Sequence, residues 1–518
     1  MRGKRFAALV AGVLSVVVMA ACSAGSTTPS SSSTTAPTSA GSGSASAPAS
    51  TAADAMSIGF VLAPATLDFT QTAGAPITQA LLLNVYETLV KQDGDGKIVP
   101  LLAESYTISD DRLTYDFKLH SGVKFTNGAD FTADDAVFSI NRVKTDWKVA
   151  TKVGMDVVSS ATAVSPTELK VVLSRPSTSW LFSMTTAIGA MFSKTGVADL
   201  AKTPIGTGPY VLKTFTLNDS IVMERNDAYW GTAPSLKTVT LKYFADPNAM
   251  NNALLTGGIQ VMSTVQTPEA LSQFGDKSKY QVIDGTSTGE VILSMNNRTG
   301  PLSDLRVRQA ISYALDRKAI LETAWSGYGT VIGTHEAPTD PWFKPVDKYP
   351  HDQQKAKDLL AQANASNLTL RLTLPPVPYA AAAAPIVISQ LAAVGITIKD
   401  SNVDFPGWIK SVFTDHDFDL SIINHVEPRD AVTIFGNKDY YIGYDNQTVR
   451  DLFTKADQEL SDAAAVADYQ QALDQLATDA PVVWLWSFPN LEVADVNVKG
   501  IVQNQISAAF ELATISVG

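Results

Sequence analysis

Two carboxylates and a guanidinium fall within Asn424-His425-Val426-Glu427-Pro428-Arg429-Asp430. The segment follows residues 418–423, whose apolar run reads as a strand. In α/β sheets, ligands sit beyond the carboxyl ends of strands. A zwitterion held there needs an acid for its ammonium and a base for its carboxylate. Glu427 or Asp430 can serve the first, and Arg429 can serve the second or pair with the other acid. His425 and Asn424 complete the candidate binding set, and Trp408, Trp325 and Tyr328 can line side-chain pockets. The competing reading is an Arg–acid pair that only fixes a loop, with the aromatics in the core.

Three other patterns suggest chemistry and fall short of it. Gly285-Thr286-Ser287-Thr288-Gly289 fits a nucleophile elbow, which needs a strand, a sharp turn and then a helix. Residues 290–295 alternate toward a further strand instead, so no catalytic serine and no enzyme is expected. Gly206-Thr207-Gly208-Pro209-Tyr210 lacks the Lys and the following helix of a phosphate loop and reads as a structural turn. Among His335, His416 and His425 no two stand three or four residues apart, so neither a metal site nor a cofactor is expected. The acidic run 415–419 reads as a solvated edge.

The N-terminus speaks to compartment. Arg2, Lys4 and Arg5 precede an apolar run, 6–21, that ends in Met19-Ala20-Ala21-Cys22. This is the pattern of a secretory signal, predicted over 1–21, and it is shorter than a membrane span of ~20 residues. Cys22 is the only cysteine of the 518 residues, so no internal disulfide can form. The small residues before it resemble the lipobox of bacterial lipoproteins, which implies lipidation of Cys22 and a membrane anchor. Residues 22–54, rich in Ser, Thr, Ala and Pro, then read as a tether that cannot bury a core. Loss of the three leader cations leaves 36 Lys and Arg against 51 Asp and Glu, a net charge of −15. A body so acidic is a poor partner for nucleic acid or anionic lipid.

The elements that must position the candidate residues alternate between strand and helix. Ile77, Leu81, Val85 and Leu89 predict a helix before the Asp93-Gly94-Asp95-Gly96 turn, and residues 114–119 predict a strand. Thr132 with Asp135 caps a helix whose inner stripe is Ala136, Ile140, Val143 and Trp147. Residues 305–325 read as one helix capped by Ser303 or Asp304, and 449–478 as one long polar-faced helix. Strand 368–374, helix 385–394 and strand 396–403 form a unit that implies a parallel pair.

Several ordered segments carry a wider resemblance. They include Pro100-Leu101-Leu102-Ala103-Glu104-Ser105-Tyr106, Asp110-Asp111-Arg112-Leu113-Thr114-Tyr115, Gly206-Thr207-Gly208-Pro209-Tyr210 and Arg225-Asn226-Asp227-Ala228-Tyr229-Trp230. The strongest is Leu302-Ser303-Asp304-Leu305-Arg306-Val307-Arg308-Gln309-Ala310-Ile311. Together they resemble the extracellular solute-binding proteins of the oligopeptide, dipeptide and nickel-binding family (ABC transporter family 5), over nearly all of 57–518. Two departures stand out: Gly257-Gly258-Ile259-Gln260 lacks the family's acids, and 424–430 stands in place of its Trp-x-x-Asp segment.

The resemblance implies an α/β fold, two-lobed and periplasmic-binding-protein-like of type II, with an additional inserted subdomain. Lobe one would comprise 57–102, 205–255 and 494–518, with 103–204 as the insertion. Lobe two would comprise 256–493, with hinges near 255 and 493. The implied function is capture of a small ligand, foremost a peptide, for the permease subunits of an ABC importer, by a monomer outside the cytoplasm. A nickel chelate, an opine-like compound or an oligosaccharide is the alternative cargo. A surface lipoprotein without a small ligand and an exported serine hydrolase are the competing classes.

Overall fold

The computed structural model describes residues 54–518 apart from 73. The predicted signal, Cys22 and nearly all of the tether lie outside the described residues. A ten-stranded mixed sheet runs in the order Thr397–Asn402, Thr369–Leu374, Leu420–His425, Tyr280–Met295, Val482–Asp495, Val261–Met262, Ala55–Phe60, Thr238–Tyr243, Ser220–Arg225, Tyr210–Thr216. A separate antiparallel sheet runs Ala103–Ile108, Thr114–Leu119, Glu168–Leu173, Val158–Ser165.

The apolar side chains bury in distinct cores. One draws on residues between 56 and 261 and again between 494 and 515, and includes the four-stranded sheet. Two others draw only on residues 291–488. Strands Tyr280–Met295 and Val482–Asp495 pass from one set of cores to the other. Their pairing slips between Thr286 and Glu290, opposite Ser487–Pro489. Such bulges bend a strand and re-aim its side chains.

Local signals account for many element ends. The Asp135 carboxylate accepts from Thr132 N at 3.1 Å, as the capping pattern predicts, and Ala136, Ile140, Val143 and Trp147 are fully buried. Strands Thr369–Leu374 and Thr397–Asn402 pair in parallel around helix Pro378–Ala392, which starts about two turns before the predicted one.

Three predicted helices end sooner or divide. The segment 305–325 is two helices, Leu305–Ala314 and Arg317–Trp325, because Leu315 is extended and Asp316 caps the second by accepting from Ala319 N. The segment 449–478 is likewise Gln447–Gln458 and Asp462–Asp479, with Ser461 as the second cap. The predicted helix through Leu89 stops after Ala75–Leu81. Beyond it, buried Asn84 donates to the Ala80 and Phe510 carbonyls and accepts from Leu512 N, which ties this turn to the C-terminal segment.

The Gly206–Gly208 turn is a packing device. A Cβ at Gly206 would lie 1.9 Å from the Val85 carbonyl oxygen, so only glycine permits this approach. The Thr207 hydroxyl donates to buried Glu87, which also accepts from Tyr229 and Trp230.

Candidate binding site

The strand Leu420–His425 delivers the 424–430 segment to the place where the two sets of cores meet. Arg429 lies 4.0 Å from the ring of Phe182, which belongs to a short helix, Trp180–Ser183, beside the four-stranded sheet. It also lies 4.8 Å from the ring of Trp342, and its Nε donates to Asp340 at 3.4 Å. Its cation is thus committed within the protein. The acid it pairs with is Asp340, neither Glu427 nor Asp430.

Asp430 and His425 enter one buried polar cluster. His335 Nε2 and Asp430 Oδ1 are 2.7 Å apart. The other imidazole nitrogen, Nδ1, accepts from the Trp484 indole N–H at 3.2 Å. Since indole only donates, Nδ1 holds a lone pair and Nε2 carries the proton, which it gives to Asp430. His425 is held near pH 4 by burial and by neighbouring His335, against the pull of Asp430. Its Nε2 is 3.1 Å from the Tyr441 hydroxyl, which in turn meets Ser294.

Glu290 closes the cluster, with Oε2 3.9 Å from His335 Nε2. Burial pushes its carboxyl well up, and the charges of Asp430, Glu336 and Asp340 add to this. Glu336, also buried, is raised by burial and by Asp340 beside it.

The remaining predicted residues lie apart. Glu427 is exposed as a residue, yet its carboxyl is raised by desolvation and by Asp430. Asn424 sits one residue before His425, so its side chain takes the opposite face of the strand, against Gly289. Trp408 is 3% exposed, and its indole donates to Ser421 Oγ at 2.9 Å. That packing places Trp408 in the core and removes it from the candidate set. Trp325, 1% exposed, packs on Phe488 in the same manner.

Ser287 also has a structural task. Its hydroxyl donates to the Phe488 carbonyl at 2.7 Å, and the chain continues as strand with no helix after it. The elbow geometry is therefore absent at this pattern.

Ligand atoms of Glu290, His335 and Asp430 lie within 4.8 Å of one another, a spacing that can hold a metal. The tautomer argues otherwise. Ligation through Nε2 would move the proton to Nδ1, where it would face the Trp484 donor, and a ligating His wants an acceptor there. Two open pockets are lined in part by Arg317, Tyr349 and Trp484 and by Val153, Arg175 and Ser179. Neither includes a residue of 424–430.

Contacts of the same kind as Arg429–Phe182 flank the cluster. Asp457 accepts from the hydroxyls of Ser177 and Ser179 at 2.8 and 2.6 Å, and from Arg175 at 2.5 Å. Arg112 meets Asp462 at 2.8 Å. Sequence reasoning missed that Glu290, His335, Glu336 and Asp340 gather around Asp430, and it missed Asp457 as the acceptor for Arg175, Ser177 and Ser179.

Known proteins share sequence and fold with this chain. A family model described as bacterial extracellular solute-binding proteins, family 5 Middle, matches residues 97–433. The chain belongs to this family. It is similar to the glutathione-binding protein GsiB of Shigella flexneri, at 29% identity over 301 residues, 57% of this chain and 59% of that protein. It is also similar to the nickel-binding periplasmic protein of Escherichia coli (strain K12), at 32% identity over 299 residues, 54% of this chain and 55% of that protein. These alignments thus span less than two thirds of either relative. In fold the family 5 chain resembles a periplasmic binding protein, DppA from Helicobacter pylori, solved in complex with the peptide STSA. The TM-score is 0.80 at 21% identity, covering 90% of this chain and 98% of that one. The two-lobed α/β expectation agrees with that likeness.

Among the described residues, no helix is long and apolar enough to cross a membrane.

Proposed function

We propose that this chain is a receptor that captures a small ligand, foremost a peptide, between two lobes and delivers it to an ABC importer. The observation that carries the reading is Arg429 reaching Phe182. The 424–430 segment stands where one set of cores meets the other, which is where a two-lobed receptor encloses its ligand. The proposed lobes are 57–102 with 205–255 and 494–518, and 256–493, with 103–204 inserted in the first. Separate cores drawn from 56–261 with 494–515 and from 291–488 support two lobes, while a further core from Met250 to Phe274 with Leu491 and Val493 spans the proposed hinges. Ligand closure follows because only the closed state offers both faces.

A thermal-shift screen of the body from residue 55, stripped of co-purified solute, tests the reading. A binder at a hundredfold excess over Kd adds about 2.7 kcal/mol to stability. Short peptides are expected to raise the midpoint. A response to oligosaccharide or to chelated nickel alone would keep transport and replace the cargo, and silence to every solute would remove the receptor reading.

The anchor belongs to the same proposal. Cys22, following small residues, is expected to carry acyl chains that hold the receptor at the outer face of the cell membrane. The intact mass of protein extracted from membranes checks this. A chain beginning at Cys22 and heavier by acyl groups is expected, and an unmodified thiol would end the idea.

A further inference from the structure

The loop between Leu173 and Trp180 aims its donors at one carboxylate. Ser177 Oγ, Ser179 Oγ and the Ser179 backbone N–H lie 2.8, 2.6 and 3.1 Å from a single oxygen, Asp457 Oδ1. Arg175 Nη1 takes the other oxygen at 2.5 Å. Ser177 is 2% exposed, so its hydroxyl is already out of water where the carboxylate meets it.

Host and guest can be told apart. Every donor stands within residues 175–179, between the strand Glu168–Leu173 and the short helix Trp180–Ser183, which fix the loop at both ends. The acceptor arrives from 280 residues away, at the end of Gln447–Gln458. A guanidinium facing one oxygen and hydroxyl and amide donors facing the other are the means by which proteins recognise a free carboxylate. The donors require one negative charge and two oxygens, and nothing in the set requires that these belong to Asp457.

An open pocket adjoins the same donors. Arg175, Ser177 and Ser179 are part of its lining, together with Val153, Asp156 and Val157. A solute can therefore reach the loop from this side, and the two valines suit a short apolar remainder. Asp156 disfavours a guest of higher negative charge, so the pocket suits a monoanion.

We propose that the 174–179 loop is a carboxylate site in its own right, filled here by Asp457, and that a small soluble monocarboxylate competes for it. Asp457 is then a tethered competitor. A solute held by the loop excludes Asp457 from it, and where these two lie on opposite lobes the solute binds the open state alone and shifts the receptor toward opening. That consequence rests on the two-lobed reading, whereas the site itself does not.

Formate is the probe, because Asp457→Ala removes one carboxylate and leaves a space of that size. Thermal midpoints of the purified chain are compared in sodium formate and in sodium chloride at equal ionic strength. In Asp457→Ala, formate is expected to raise the midpoint in a saturable way, by roughly 1 °C at tenfold excess over its Kd. Asp457→Asn keeps the loop filled by an amide and should respond equally to the two salts. Asp457→Ala combined with Arg175→Ala and Ser179→Ala should also lose the difference. Equal response of Asp457→Ala to formate and chloride would overturn the proposal, as would the same gain from formate in Asp457→Asn. In the parent, formate should enlarge the scattering radius toward that of Asp457→Ala. An unchanged radius beside a clear response of Asp457→Ala would keep the site and overturn the placing of the loop and Asp457 on opposite lobes.

Discussion

Replacing Asp457 by Ala is expected to open the receptor. Asp457 lies in the last turn of the helix Gln447–Gln458, and its carboxylate gathers Ser177, Ser179 and Arg175, which the proposed two-lobed reading puts on the opposite lobe. Ser179 adds its backbone N–H at 3.1 Å. These donors belong to a loop between Leu173 and Trp180, whose neighbours pack in the core that holds the four-stranded sheet. The carboxylate is largely buried, at 14% exposure, so water screens these bonds little. Hydrogen bonds to an ionised acceptor contribute about 1.5–3 kcal/mol. Loss of the set should favour opening by roughly 2–3 kcal/mol, which is about 30- to 150-fold in the equilibrium. Ligand affinity should fall by up to the same factor, because binding must then supply the closure that Asp457 now supports. Small-angle scattering of the unliganded variant should give a larger radius of gyration. Unchanged affinity together with an unchanged radius would show that Asp457 plays no part in closure.

The same contact has a pH signature. Burial raises the Asp457 pKa, but bonds from Ser179, Arg175 and Ser177 outweigh it and leave the group below the usual carboxylate value. A depressed pKa means that the contribution is present above the ordinary value near 4 and is lost as pH falls through the lowered one. Closure should therefore hold through neutral pH and weaken only in strong acid.

Local structure was legible where one residue decides it. Thr132 with Asp135 marks a helix start, and alternation marks the paired strands around Pro378–Ala392. The breaks at Asp316 and Ser461 were hidden because the apolar period runs on through them. Each helix of a pair buries the same kind of face, and a capping Asp or Ser looks like any surface polar residue. The 424–430 segment was legible because its charges are adjacent in sequence. Glu290 and His335 reach Asp430 from distant strands and loops, so only tertiary folding assembles them. A signal did exist: Glu290 opens the apolar run Val291-Ile292-Leu293, and an acid leading a buried strand is an informative anomaly. Trp408 misled because an aromatic near a candidate site looks the same in sequence whether it faces ligand or core.

The largest loss of stability is expected from Arg308→Met, in the block that most strongly carries the family resemblance. Arg308 is 8% exposed and acts as a clamp on backbone carbonyls. Its Nη1 donates to Leu302 and Ser303 at 3.0 and 3.2 Å, Nη2 to Asp479 at 3.0 Å, and Nε to Ala480 at 3.2 Å. The guanidinium thereby fastens the turn before Leu305–Ala314 to the end of Asp462–Asp479, and so aligns both helices beneath Val482–Asp495. Burial lowers its pKa, opposed by Asp479, yet an arginine remains charged at any ordinary pH. Methionine fills the same stem volume and offers no donor. The carbonyls it leaves behind would lose strong partners in a site with little room for water. A cost of about 3–4 kcal/mol is expected, a large share of the 5–15 kcal/mol typical of a domain. Arg306, two residues earlier, provides the contrast. It is exposed, pairs with Asp304 and reaches the Gln362 carbonyl from outside, so Arg306→Met should leave the urea midpoint nearly unchanged. Equal midpoints for the two variants would mean that the motif's second arginine is held for some purpose other than this clamp. A selective loss at Arg308 would mean that the block marks the family through backbone geometry, with no contact to ligand required.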